Sequence, residues 1–119
     1  MLHYNTKIEV RKSDVHGYGV FAKESIIAGE ILEECHYIKV KLSTDVYRYV
    51  YNWPKRRPTK YYAIALGNAC IYNSSLKGEE PNADWETNIE RDIFIFRSIK
   101  DIKQGEEIII YYGDSYWNY

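Results

Sequence analysis

The sequence predicts a mainly β fold built of several small sheets with little helix, and three observations predict it. Short segments of alternating apolar residues recur along the chain. Gly, Asn and Asp turns separate them, as in domains assembled from many short strands. Tyrosine is abundant, with thirteen in 119 residues. Its flat apolar body suits cross-strand packing, and its hydroxyl tip suits the lining of a narrow, polar-ended pocket.

The strands are justified in turn by their residues. Residues 7–11 alternate around Ile8 and Val10, and residues 19–22 form a short apolar run. Residues 30–34 carry Ile31 and Leu32 after the Ala28-Gly29 turn, and residues 36–42 alternate through Tyr37, Ile38, Val40 and Leu42. Residues 92–97 contain the continuous run Ile93-Phe94-Ile95-Phe96, the signature of a strand buried on both faces. Residues 107–111 close the series. Helical signal is confined to residues 45–53, where Thr44 or Asp45 offers a cap, Val46, Tyr49, Val50 and Trp53 share a face, and Pro54 ends the run.

Length and composition restrict the functional classes. A chain of 119 residues with 45% hydrophobic and 28% charged residues fits one folded domain spanning 1–119 and argues against disorder. A net charge of −1 lacks the basic excess of a nonspecific nucleic-acid binder, so no direct nucleic-acid partner is expected. No apolar run approaches the roughly 20 residues of a membrane span, and the N-terminus lacks a signal-peptide pattern; no membrane partner and an intracellular location are expected. Cys35 and Cys70 have no metal-ligand spacing, which predicts two reduced, buried thiols, no metal and no disulfide. The one cluster of a single charge sign, residues 54–60, reads as a solvated loop, contact with an acidic partner being the alternative.

Three segments stand out for chemistry. The first is His16-Gly17-Tyr18-Gly19-Val20-Phe21-Ala22, where glycine would let backbone approach a ligand that a Cβ would block. It is not a dinucleotide-binding fingerprint, because the third glycine position is Ala22 and no βαβ pattern follows. The second is the apolar run from Ala63 into Tyr72-Asn73-Ser74-Ser75, followed by Pro81-Asn82-Ala83. The third is Gly105-Glu106-Glu107-Ile108-Ile109-Ile110-Tyr111-Tyr112-Gly113-Asp114.

Together, and in this order, these segments resemble the SET domain, the fold of protein-lysine methyltransferases that use S-adenosylmethionine. The resemblance runs from about residue 7 to residue 117 and is nearest to minimal viral and bacterial SET domains. It implies a pseudoknot-like crossing in which the C-terminal part of the chain threads the central segment. It assigns the catalytic role to Tyr112. It places Gly17, Tyr18, Gly19, Asn73, Ser74, Tyr112 and Trp117 at the cofactor, and Tyr18, Tyr49, Tyr111 and Tyr116 along the channel for the target lysine. Tyr49 comes from Tyr49-Val50-Tyr51-Asn52-Trp53, which is similar to a Tyr-x-Phe-x-Trp stretch of compact relatives.

Two departures are visible. Ser74 stands where the family has histidine, and residues 76–80 lengthen the step to Pro81. A serine keeps a donor and an acceptor but gives up the imidazole's volume. The implied activity is transfer of a methyl group from S-adenosylmethionine to a lysine amine of a protein, a histone tail being one target. The absence of flanking zinc modules leaves room for a homodimer. A second reading, motivated by Ser74 and the insertion, is a SET-fold module that binds a lysine-containing tail without catalysis.

Overall fold

The computed structural model describes residues 2–13, 17–47, 49–56, 58–74 and 80–111. Ten short strands and one 3₁₀ turn are found among them. In chain order these are β1 (Ile8–Lys12), β2 (Tyr18–Ala22), β3 (Ile31–Cys35), β4 (Tyr37–Val40), β5 (Tyr51–Trp53) and β6 (Tyr61–Ala65). The 3₁₀ turn Asn68–Cys70 follows, then β7 (Asn73–Ser74), β8 (Ala83–Asn88), β9 (Ile93–Ser98) and β10 (Glu107–Ile110). The strands form three sheets, ordered β1-β2-β10-β7, β3-β9-β8 and β4-β6-β5. The expected mainly β architecture of small sheets is the one observed.

The second and third sheets are joined by aromatic rings. In β9, the central strand of its sheet, Ile93, Phe94, Ile95 and Phe96 are all buried, as a run apolar on both faces requires. Phe94 meets Trp53 at 5.2 Å and Tyr51 at 5.5 Å between ring centroids, and Tyr37 stacks on Trp53 at 4.3 Å. Tyr51 also meets Trp85 at 4.9 Å, and Tyr72 meets Phe96 at 5.2 Å. These offset and edge-to-face arrangements suit the ring quadrupoles and add to area burial. Part of the unusual tyrosine content is accounted for here: Tyr51 and Tyr72 are core residues, while Tyr4, Tyr18 and Tyr49 are exposed.

The helix expected over residues 45–53 does not form. Turns occupy residues 44–47, and Tyr51–Trp53 is a strand paired antiparallel with β6, Tyr51 opposite Ala63 and Trp53 opposite Tyr61. The reason lies in the burial pattern, which alternates with Tyr51 and Trp53 inside and Asn52 between them. Tertiary packing of two large rings onto Phe94 outweighs a weak helical spacing. Two smaller expectations are also corrected. Cys70 is half-buried rather than buried. Lys55, in the basic stretch, is not simply solvated: its ammonium donates to Asp84 at 2.9 Å and to the Trp85 carbonyl at 2.5 Å, and lies 4.7 Å from the Trp85 ring.

The C-terminal strand supplies the expected crossing. β10 runs antiparallel to β2, with Glu107 opposite Phe21, and parallel to β7, with Ile109 opposite Asn73 and Ile110 opposite Ser74. Beyond residues 75–79 the chain meets β10 again at Asn82. The Asn82 backbone N–H donates to the Ile109 carbonyl at 3.0 Å. Its side-chain amide donates to the Glu107 carbonyl at 2.8 Å and accepts from the Ile109 N–H at 2.7 Å. One asparagine thus imitates a length of partner strand and locks β10 against the central segment.

Candidate active site at the crossing

Gly17 is the first residue to be fixed by backbone geometry. Its φ of +52° lies in the left-handed region that L side chains rarely adopt, and a Cβ built there would meet nothing within 4 Å among the described residues. The chain turns there into β2, which Tyr18, 62% exposed, leads. Gly19 is required for a different reason. A Cβ on it would overlap the Glu107 carboxylate and stand 3.1 Å from the Asn73 amide nitrogen. Its missing side chain makes room for an internal contact.

That contact draws the three motifs together. The Asn73 amide nitrogen donates to the Tyr18 carbonyl at 3.1 Å and to Glu107 Oε2 at 2.5 Å. Glu107 Oε1 accepts from the Ser13 hydroxyl at 2.7 Å. Ser74 sits beside Asn73 in β7, and Tyr111 directly follows β10 and is half-buried. The topology thus brings Gly17, Tyr18, Gly19, Asn73, Ser74 and Tyr111 to one end of the first sheet. Tyr112, Tyr116 and Trp117 lie outside the described residues.

Tyr49 is not brought to that end of the sheet by any described contact; it lies against the 68–70 turn. It is partly exposed, and its carbonyl lies 4.0 Å from the Cys70 thiol. Nearby, the Tyr51 hydroxyl donates to the Ala69 carbonyl at 2.8 Å. The 68–70 turn that leads into Asn73 is thereby tied to β5 and the residues before it.

Sequence reasoning missed a buried carboxylate beneath this turn. Glu33 in β3 is 2% exposed and accepts from the Asn68 N–H at 3.1 Å. Gly67, with φ of +141°, passes so close that a Cβ would stand 3.1 Å from both Glu33 Oε2 and Cys35 Sγ. Burial pushes the Glu33 carboxyl above its ordinary value, against the lowering effect of the Asn68 N–H. Burial also raises the Cys35 thiol, with Glu33 adding to the effect, and raises the Tyr72 phenol well above its ordinary range. These groups are uncharged donors around one carboxyl, and their arrangement fixes the turn. No local pattern marks Glu33, which sits in an ordinary Ile-Leu-Glu-Glu strand. Among the described residues, no group of three or more His, Cys, Asp or Glu is placed to hold a metal ion.

The described geometry is shared with proteins of known family. The SET domain pattern matches residues 17–113, and the chain belongs to the SET domain family. It is 27% identical over 118 residues to the histone-lysine N-methyltransferase, H3 lysine-37 specific, of Schizosaccharomyces pombe, covering 92% of this chain and 76% of that protein. Its fold superposes with a TM-score of 0.77 on the crystal structure of a Plasmodium falciparum protein described as a candidate histone methyltransferase. That pair is 30% identical and covers 95% of this chain and 98% of the other. The methyltransferase domain of human PR domain-containing protein 2 shares the fold with a TM-score of 0.67, at 21% identity over 92% of this chain and 78% of that one.

Proposed function

We propose that the chain is a protein-lysine N-methyltransferase that takes its methyl group from S-adenosylmethionine. The observation that carries this reading is the convergence of Gly17–Gly19, Asn73–Ser74 and the end of β10 at one crossing, in a chain that belongs to the SET domain family. The residues present fit such a cofactor. No described residue comes within 4 Å of where a Cβ on Gly17 would stand. Asn73 and Ser74 are half-buried beside it, offering backbone and side-chain groups for an amino-acid moiety and a base edge.

Bound there, S-adenosylmethionine supplies an electrophilic methyl carried on a sulfonium. The chain's own contribution is orientation and electrostatics. Tyr112, next to Tyr111, is assigned the phenol oxygen that sits where positive character develops, together with backbone carbonyls. Tyr18, Tyr49, Tyr111 and Tyr116 are assigned to the channel that admits the lysine, and Trp117 to a cover over the cofactor. An aromatic, water-poor channel lowers the lysine pKa from its reference of about 10.4, so the amine arrives neutral. Water then suffices to remove the proton. The target is a lysine in a basic protein segment such as a histone tail; the fission-yeast relative is named for lysine 37 of histone H3.

The test is incubation with methyl-labelled S-adenosylmethionine and lysine-bearing proteins, histones included, with methylated lysine read by mass spectrometry. The wild-type chain is expected to label lysine, and Tyr112→Phe to lose about a hundredfold or more in rate, the scale of losing one preorganised polar group. Cofactor binding without transfer to any lysine substrate would favour the second reading, a lysine-tail-binding module, for which the serine at position 74 is the specific observation.

A further inference from the structure

We infer that Glu107 is a positioning residue for the cofactor site, setting the orientation of Asn73 and the path of the Gly17–Gly19 backbone. This rests on the methyltransferase reading and deepens it. Glu107 opens β10, and its two carboxylate oxygens reach different parts of the chain: Ser13 at 2.7 Å, 94 residues away, and Asn73 at 2.5 Å, 34 residues away. The Asn73 nitrogen has two hydrogens. One is directed at Glu107 and the other at the Tyr18 carbonyl at 3.1 Å.

That pairing fixes the amide in one orientation, because a flipped amide would set its oxygen against a carboxylate. It also binds β7 to β2 through a side chain. Gly19 completes the device. Its φ is not in the left-handed region, so conformational freedom does not explain it; the space that its Cβ would take is the space the carboxylate uses. Four stretches of chain, at residues 13, 18–19, 73 and 107, therefore share one charge-assisted junction. Two of them, residues 18–19 and 73, are proposed cofactor contacts.

The experiment combines three readouts on the full chain. Glu107→Ala is expected to weaken S-adenosylmethionine binding about tenfold or more, the counterpart of losing charge-assisted hydrogen bonds. Glu107→Gln, which retains an oxygen for Asn73 and an amide that Ser13 can accept from, is expected to stay within a few fold of wild type. The Asn73 side-chain amide signals in NMR should shift and exchange faster with water in Glu107→Ala, while β8 and β9 backbone signals stay in place. Finally, Gly19→Ala should cost clearly more stability alone than in the Glu107→Ala background, where the carboxylate is gone and the Asn73 nitrogen at 3.1 Å is the close contact that remains.

Wild-type affinity in Glu107→Ala, an unmoved Asn73 amide, or an equal Gly19→Ala cost in both backgrounds would overturn the inference. Failure of the wild-type chain itself to bind S-adenosylmethionine would overturn the methyltransferase reading and the cofactor half of this one. The amide signals and the double-mutant cycle would then decide the anchoring half without reference to cofactor.

Discussion

Between the β3-β9-β8 and β4-β6-β5 sheets the contacts are rings on rings, whereas β10, besides burying Ile108 and Ile110, is held in register by amides, a hydroxyl and a carboxylate. The two regions divide the work. Burial of Phe94, Phe96, Tyr51 and Trp53 is non-directional and supplies stability roughly in proportion to area. The junction of Ser13, Asn73, Asn82 and Glu107 adds modest net stability but permits few geometries. A SET fold needs both, since three small sheets supply little core individually and a threaded strand needs a defined register.

The sharpest way to break the comparison is at the ring cluster. Phe94→Ala removes a fully buried ring that touches Tyr37, Tyr51, Trp53 and Trp85. It should cost about 3–5 kcal/mol in urea unfolding, while protein that remains folded keeps its cofactor affinity. A large loss of affinity with little loss of stability would mean the ring region shapes the site directly. Asn82→Ala comes next. It removes two side-chain bonds to β10 and leaves the Ile109 N–H without that acceptor, so about 1–3 kcal/mol should be lost. Here cofactor affinity, read by calorimetry, should fall together with stability, because the register of the threaded strand loosens.

The third effect depends on pH and concerns Glu33, whose carboxyl holds the turn that leads into β7. Burial raises its pKa in the folded chain. The folded state therefore holds this proton to higher pH than the unfolded state does. The stability linked to it is fully present below the unfolded value near 4.5 and is lost as pH rises through the folded value. Each pH unit inside that window removes up to about 1.4 kcal/mol. Glu33→Gln keeps an oxygen for the Asn68 N–H and lacks the titration. Its stability relative to wild type should rise as pH increases above about 4.5 in denaturant titrations; a constant difference would show that the Glu33 carboxyl is not held above its ordinary value.

Much of this was legible in the sequence, and the gaps have physical causes. The Ile93-Phe94-Ile95-Phe96 run, the Gly17–Gly19 turn and the Glu107–Ile110 strand are strong local signals, and each became an element of the fold. The β5–β6 hairpin was hidden, because the residues before Trp53 carry a helical spacing and the two strands gain stability only by packing on β9. β7 has two residues, too few for any periodicity to show. β8 reads as polar, with Ala83 and Trp85 the only buried residues of its six. At the site, Gly19 was legible as a required glycine, but its reason was not. That reason is a carboxylate 88 positions further along the chain, placed there only once β10 lies against β2 (Gly19 to Glu107).

The most direct test of the account is a calorimetric titration of the purified, folded wild-type chain with S-adenosylmethionine, repeated with its demethylated product. Saturable one-to-one binding is the predicted result. It would mean that a serine at position 74 leaves the cofactor site intact. No detectable binding by well-folded protein would contradict the claim that the crossing of β10 with the central segment forms a cofactor site.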